Sequence, residues 1–121
     1  MPELPEVETT LRGIEPHLVG RRIREVIVRE SRLRQPVPAS LAELTGAGID
    51  SVSRRAKYLL IKLSGRHGHL LLHLGMSGSL RLSDPKEEYR THDHVVLTVN
   101  SSRQLRFHDP RRFGLVLHLP H

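Results

Sequence analysis

The N-terminus carries the residues with the clearest capacity for covalent chemistry. The chain begins Met1-Pro2-Glu3, and a methionine that precedes a small residue such as proline is often removed after synthesis. Removal would leave Pro2 with a free secondary α-amine, whose pKa near ~8 keeps a useful unprotonated fraction at neutral pH. Such an amine can attack a sugar C1′ or an aldehyde and form an iminium intermediate, and Glu3 beside it can move protons. If Met1 is retained, the Pro2 nitrogen is an amide and cannot attack.

The same segment also suits a purely structural role. Pro5 fits the first turn of a helix, and Glu6 lies where the helix dipole favours negative charge. From these residues alone, a catalytic N-terminus and a rigid turn followed by a well-capped helix both remain open.

A helix must follow this N-terminus. Apolar residues recur at spacings of four, three and four, namely Val7, Leu11, Ile14 and Leu18. This periodicity places them on one face and predicts a helix over residues 2–19. Pro16 is expected to end or bend that helix, and Gly20 is a suitable stop.

Beyond residue 20 the apolar pattern changes to the period of β structure. Short strands are predicted over residues 23–29, 58–63, 69–74, 79–82, 94–99, 104–108 and 114–119. Residues 65–68 are predicted to form a hairpin turn, residues 40–44 a short helix, and residues 83–93 a charged, mobile loop. Many short strands joined by turns indicate an antiparallel sandwich or barrel.

The composition restricts the classes of partner. The 121 residues suit one domain, and 19 Lys and Arg against 13 Asp and Glu give a formal net charge of +6. An excess of this size favours a polyanion, with nucleic acid first, over a protein that is basic without a partner. With no cysteine, the chain has neither a disulfide nor a thiolate metal site. No apolar run approaches the roughly 20 residues of a membrane span, and the acidic N-terminus is unlike a signal peptide.

Five sequence blocks together resemble one enzyme family. They are residues 2–9 (PELPEVET), 54–59 (RRAKYL), 73–78 (HLGMSG), 92–95 (HDHV) and 109–114 (DPRRFG). The blocks resemble those of formamidopyrimidine-DNA glycosylases, occur in the family order and span nearly the whole chain. The resemblance implies an α+β fold that is mainly β, with an N-terminal helix packed on a two-sheet antiparallel β-sandwich of about eight strands.

The resemblance also implies the residues of the reaction. Pro2 would be the nucleophile, and Glu3 the acid that assists opening of the sugar ring and proton transfer. Glu6 matches a second acid near the site with a partly structural role. Lys57 matches a lysine that grips a phosphate near the lesion, although on a strand it could equally belong to a solvated face.

Five further residues match DNA contacts of the family. His73 and His92 would contact the DNA backbone. Met76, Arg111 and Phe113 match side chains that enter the duplex where the damaged nucleotide leaves, with Arg111 donating to the orphaned cytosine. From the residues alone, Met76 could fill a core, but the glycines on either side favour an exposed loop tip. Phe113 could likewise only anchor a strand.

A metal site is not expected in this chain. Nine histidines are present, and His73, His92, His94 and His108 could in principle supply ligands, but they form no tight ligand motif. On a strand, His92 and His94 would point to the same face, and the resemblance assigns their block to structure and the DNA backbone. We therefore predict no metal and no cofactor within the chain.

The resemblance implies a domain and a function. Residues 1–121 would form the N-terminal catalytic domain, while the family's C-terminal helix-two-turn-helix module and zinc finger, which holds the zinc, would lie outside this chain. The implied activity is base excision of oxidised purines, such as 8-oxoguanine and formamidopyrimidines, with β,δ-lyase cleavage through a Pro2 Schiff base. The partner would be damaged or abasic double-stranded DNA, and the full-length protein a monomer in the bacterial cytoplasm. The fragment alone would be weak or inactive.

Three alternatives stay open at this point. One is an endonuclease VIII-like glycosylase for oxidised pyrimidines, which shares the Pro-Glu start. Another is a non-catalytic nucleic-acid-binding β module that uses the arginine clusters at residues 21–24, 32–34 and 54–57. The third is an interaction domain without nucleic acid.

Overall fold

One helix and two four-stranded antiparallel sheets make up the structure, a computed structural model that describes residues 4–100 and 102–120. The elements in chain order are α1 (Leu4–Leu18), β1 (Glu25–Val28), a 3₁₀ helix (Ala39–Leu44), β2 (Ile49–Arg55), β3 (Tyr58–Leu63), β4 (His69–His73), β5 (Ser79–Ser83), β6 (Asp93–Asn100), β7 (Arg103–His108) and β8 (Leu115–Leu119). The predicted α+β sandwich of eight strands is confirmed. Pro2 and Glu3 lie outside the described residues.

The helix packs on the sandwich through the predicted apolar face. Val7, Ile14 and Leu18 are buried, and α1 contacts β2, β3 and β5. Pro16 does not end the helix, which continues for two more residues to Leu18. The proline removes one intrahelical hydrogen bond, and so close to the C-terminus this loss affects only the last turn. The helix ends before Gly20, whose φ of +84° is the left-handed conformation that glycine adopts readily.

The two sheets enclose a core of aliphatic side chains. Their strand orders are β1-β6-β7-β5 and β2-β3-β4-β8. Strand β3 illustrates the alternation, because Leu59, Ile61 and Leu63 are buried while the residues between them are more exposed. Phe107 is the one aromatic residue in this core among the described residues. No helix in the described part of the chain is long and apolar enough to cross a membrane.

Strand β2 was not among the strands predicted from the sequence. Its two buried apolar residues, Ile49 and Val52, are three residues apart, which breaks the period of two. The register shifts between Ile49 and Ser51, so that Asp50 is an extra residue in a β-bulge. The bulge returns Val52 to the same face as Ile49, and the sequence pattern alone does not show it.

The charged segment after β5 is fastened to the sheet, which contradicts the predicted mobile loop. Arg106 of β7 is fully buried and donates to the main-chain carbonyls of Asp84, Glu87 and Glu88 at 2.9–3.2 Å. The Tyr89 ring covers the guanidinium, with 4.5 Å between Cζ and the ring centroid. A buried cation needs such partners, so the loop carbonyls hold Arg106 and Arg106 in turn orders the loop.

Several loops meet at one end of the sandwich. Tyr58 pairs with His73, and His73 pairs with Leu115, so the β2–β3 turn, the end of β4 and the start of β8 are adjacent. In the other sheet, His108 pairs with both Ser79 and Asp93 at the corresponding end. The loops that follow β2, β4 and β7 therefore project together.

Candidate nucleic-acid interface

The predicted site residues lie mostly on the loops at this end. Lys57 is half-buried in the two-residue turn between β2 and β3, immediately before the strand predicted over residues 58–63, because Ala56 takes a φ of +52° and reverses the chain. His73 ends β4. We name residues 74–78 the Met76 loop and residues 109–114 the Phe113 loop, after their exposed tips.

His73 sits in a fixed orientation. Its side chain is buried, its ring lies edge-on to Tyr58 at 4.7 Å, and its Nδ1 accepts a hydrogen bond from the Gly75 amide at 2.9 Å. Burial, with the nearby charges of Arg34 and Lys57, lowers the pKa of His73 below its usual value of 6.5. The neutral ring therefore carries its proton on Nε2, where it can donate to an anion.

Arg34 is a functional candidate that sequence reasoning did not single out. Together with His73, Gly75, Met76 and Phe113 it lines a pocket of about 260 Å³. No ion pair involves Arg34 within residues 4–100 and 102–120. The only sequence signal was its membership of a basic cluster, which did not distinguish it from Arg32.

The pH dependence of stability tests the environment of His73. Because its pKa is lower in the folded state, folding should weaken as pH falls below about 6.5, where the unfolded chain binds the extra proton. We expect His73→Gln to flatten the fall in unfolding free energy between pH 7 and pH 5, measured by urea titration. His69→Gln, at the other end of β4, is the matched control. Equal slopes in the two variants would contradict this assignment.

Two apolar side chains project from adjacent loops. Met76 is 53% exposed and Phe113 is 48% exposed. The backbones of the two loops touch: a Cβ on Gly75 would lie 2.7 Å from the Gly114 nitrogen, so only glycine, here with a φ of +62°, allows this approach. Arg111 lies beside the tip, with its guanidinium carbon 5.7 Å from the Phe113 ring centroid. An exposed apolar pair flanked by a cation suits insertion between nucleic-acid bases.

The surrounding arginines are not equally available to a ligand. Glu30 binds Arg32 with both carboxylate oxygens at 2.8–2.9 Å and lies 3.9 Å from Arg112. The hydrogen bonds from Arg32 lower the pKa of Glu30 to about 2. Arg32 and Arg112 are thus partly neutralised, whereas Arg111 is in no ion pair within the described ranges.

An ion pair ties the helix to the turn that carries Lys57. The Arg54 Nε donates to Glu8 at 3.0 Å, and Arg54 Nη1 donates to the Ala56 carbonyl at 2.9 Å. The hydrogen bond from Arg54 lowers the pKa of Glu8 below its usual range. Because α1 begins at Leu4, this contact holds the N-terminal half of α1 next to Lys57.

The remaining predicted residues lie near this end. Glu6 is exposed in the first turn of α1. His92 is half-buried in the turn before β6, outside the strand, and its ring packs edge-on against those of His94 at 5.8 Å and His108 at 5.9 Å. No group of three or more metal-ligating side chains occurs among the residues that the structure describes. The predicted roles of all these residues remain predictions.

Comparison with known proteins places this arrangement in one family. The family model of the formamidopyrimidine-DNA glycosylase N-terminal domain matches residues 1–116. The chain is 64% identical over 118 residues to a formamidopyrimidine-DNA glycosylase of Thioalkalivibrio sulfidiphilus, and 57% identical to one of Stutzerimonas stutzeri. Each alignment covers 97% of the chain and 43% of the relative, so the chain spans less than half the length of these relatives.

Solved structures show the same fold. The chain superposes on Lactococcus lactis formamidopyrimidine-DNA glycosylase in complex with DNA containing Fapy-dG, with a TM-score of 0.88 and 34% identity. A second Lactococcus lactis structure, bound to DNA that contains an abasic site, matches equally well, with a TM-score of 0.88. Both matches cover 98% of this chain and 44% of the solved chain.

Proposed function

Because the chain belongs to the formamidopyrimidine-DNA glycosylase family, matching its N-terminal domain over residues 1–116, we propose that it is the catalytic domain of a base-excision DNA repair glycosylase. The substrate is double-stranded DNA with an oxidised purine or an abasic site. The Lactococcus lactis relatives are bound to DNA that contains Fapy-dG and to DNA that contains an abasic site.

The observation that carries this proposal is the pairing of Met76 and Phe113 at the exposed tip. A damaged base within a duplex must leave the stack to be reached, at a cost of a few kcal/mol. Apolar side chains that fill the gap offset part of that cost and keep the neighbouring bases apart. Arg111 beside them can donate to the base left without a partner.

The charged pocket behind the tip suits the DNA backbone. The neutral His73 can donate through Nε2, and Arg34 contributes a guanidinium whose planar donors match phosphate geometry. Lys57, on the adjacent turn, adds a positive charge. We propose that these groups hold the phosphates next to the extruded nucleotide.

The proposed chemistry begins at the Pro2 nitrogen. The unprotonated amine attacks C1′ of the damaged nucleotide, the bond from C1′ to the base breaks, and the base leaves with a proton. Loss of the nitrogen's own proton leaves a neutral amine on C1′. Its lone pair forms the iminium as the bond from C1′ to the ring oxygen breaks, and Glu3 assists by protonating the leaving oxygen. Removal of a C2′ proton then expels the 3′ phosphate, and a second elimination expels the 5′ phosphate.

Loss of either apolar side chain of the tip should reduce the preference for a lesion with little change in stability. Met76 and Phe113 are about half exposed, so Met76→Ala and Phe113→Ala should change the unfolding free energy by less than about 0.5 kcal/mol. We expect each to reduce the ratio of affinities for abasic over intact duplex by about 10-fold, given roughly 1–3 kcal/mol for stacking on a base. Fluorescence anisotropy at low salt measures both affinities.

Leu119→Ala is the matched control, since Leu119 is 43% exposed at the opposite end of the sandwich. It should leave the ratio unchanged. An equal loss of affinity for both duplexes in the tip variants would contradict insertion and favour a non-specific binding module.

Lesion class is tested separately. The sequence of residues 109–114 favours oxidised purines over the oxidised pyrimidines of the endonuclease VIII class. Incision of 8-oxoguanine opposite cytosine is compared with incision of thymine glycol.

Since the chain spans 43% of its relatives, we expect weak binding and little turnover by the chain alone, and a normal excision rate would contradict this.

A further inference from the structure

Asp109 connects the two loops that carry the exposed tip. Its side chain is fully buried at the start of the Phe113 loop. One carboxylate oxygen, Oδ1, accepts a hydrogen bond from the Ser77 hydroxyl of the Met76 loop at 2.7 Å. The other, Oδ2, accepts from the Gly114 amide of its own loop at 2.8 Å. A single carboxylate thus joins both loops.

The Ser77 hydroxyl extends this connection to Arg111. The Ser77 hydroxyl donates a hydrogen bond to Asp109, and its oxygen accepts one from the Arg111 amide at 3.2 Å. The bonded groups therefore belong to Arg111 itself, to Ser77 beside Met76, and to Gly114 beside Phe113. Each of the three residues of the tip either takes part in these hydrogen bonds or is next in sequence to a residue that does.

Hydrogen bonds between the main chain of Asp109 and the residues His92 and His94 fix its position. Its amide donates to the His92 carbonyl at 3.0 Å, and its own carbonyl is 2.8 Å from Nε2 of the buried His94. The loops also have little room to slide, because a Cβ on Gly114 would lie 2.6 Å from the His73 carbonyl oxygen. The carboxylate is therefore a fixed point to which both loops attach.

We propose that Asp109 is a positioning residue that makes the Met76 loop and the Phe113 loop one rigid unit, so that Met76, Arg111 and Phe113 enter DNA together. This inference rests on the proposed function, because it assigns a use to the connection during insertion. Two independent loops would each lose backbone freedom on insertion, and that loss weakens binding. Loops already joined by hydrogen bonds to the buried Asp109 carboxylate have lost that freedom in the free protein.

Ser77→Ala is the variant that tests the connection. It removes the link between the loops and leaves the bond from Gly114 to Asp109. Ser83→Ala is the matched control, because Ser83 is buried at the far end of β5 and its hydroxyl has no partner within the described residues. Asp109→Asn is the second test, since an amide cannot accept from both Ser77 and Gly114 through two oxygens.

The first measurement uses the chain without DNA. We expect Ser77→Ala to increase amide hydrogen exchange by about 10-fold at Arg111, whose amide loses its acceptor. Exchange at Gly114 should also increase, although its own bond to Asp109 remains, because the loops are coupled. Methyl relaxation of Met76 should report greater mobility in the same variant. If exchange and relaxation in Ser77→Ala equal those in Ser83→Ala, the connection does not couple the loops and the proposal is wrong.

The second measurement uses a duplex with 2-aminopurine beside an abasic site, at saturating protein. The parent and Ser83→Ala should give the fluorescence increase of an unstacked base, and Ser77→Ala and Asp109→Asn should lose most of it with an unchanged salt dependence of binding. An unchanged signal in Ser77→Ala contradicts the positioning role. A parent that gives no signal contradicts the proposed function instead, while the DNA-free measurement still decides whether the loops are coupled. If Asp109→Asn does not fold, Ser77→Ala alone decides.

Discussion

A chain that retains Met1 is expected to form no borohydride-stable adduct with an abasic duplex, whereas the same chain without Met1 forms one. The reason is chemical: Met1 converts the Pro2 amine into an amide, whose nitrogen cannot form an iminium. Intact mass identifies the two forms, and gel electrophoresis after borohydride reduction measures the adduct. We expect the adduct of the Met1 form to fall to background.

The comparison separates chemistry from binding. Both forms carry the same Met76 loop, Phe113 loop and His73 pocket, so their affinities for the abasic duplex should agree within experimental error. Equal adduct yields would mean that another amine reacts, either the α-amine of Met1 or one of the chain's lysines, Lys57, Lys62 and Lys86. Loss of both affinity and adduct would mean that Met1 blocks binding.

Replacing Asp93 with alanine is expected to cost about 3–5 kcal/mol of unfolding free energy, as for other buried ion pairs that lose one partner. Asp93 is fully buried at the start of β6. Its two oxygens accept from Arg81 at 2.6 and 2.7 Å, and they also bind the Arg90 amide at 2.8 Å and His108 Nδ1 at 3.0 Å. Alanine would leave Arg81 and the Arg90 amide without their acceptor. Urea unfolding measures the loss.

Asp84→Ala is the control, since Asp84 is exposed and its carboxylate accepts only a local hydrogen bond from the Lys86 amide among the described contacts. It should change stability by less than about 0.5 kcal/mol. If Asp93→Ala lost less than about 1 kcal/mol of unfolding free energy, Asp93 would not stabilise the fold as a buried ion pair, because breaking such a pair costs more than this.

The same carboxylate predicts the direction of acid unfolding. Burial alone would raise the pKa of Asp93, but the hydrogen bonds from Arg81, Arg90 and His108 lower it well below its usual 3.8. Because the pKa is lower in the folded state, the ionised carboxylate stabilises that state above pH 3.8. The folded state loses this stabilisation as the pH falls further. The parent should therefore lose more stability than Asp93→Asn below pH 4.

The strands with uninterrupted patterns were predictable because burial imposes a period of two. Strand β3 was predicted over residues 58–63, which are its observed bounds. Strand β2 escaped prediction, since a bulge at Asp50 breaks that period. The loop after β5 was predicted as mobile because its charges suit solvent. Nothing in the sequence distinguishes the buried Arg106, which binds that loop, from the exposed Arg103 on the same strand.

The residues of the candidate site were predictable from the sequence, but the hydrogen bonds that join their loops were not. The family blocks named Met76, Arg111 and Phe113, and the structure brings them together at one end of the sandwich. That Asp109 joins their loops depends on a pairing across 32 residues, which local sequence does not encode. Arg34 likewise enters the pocket only because residues 29–38 fold over the Phe113 loop, with the Arg34 amide donating to the Gly114 carbonyl.

Peptide mapping of the trapped adduct tests the proposal that this domain repairs DNA through the nitrogen of Pro2. The chain without Met1 is incubated at low salt with an abasic duplex, reduced with borohydride, digested and sequenced by mass spectrometry. We predict that the adduct lies on the N-terminal peptide, at Pro2. An adduct on a peptide containing Lys57, Lys62 or Lys86, with an unmodified N-terminus, would contradict the proposal.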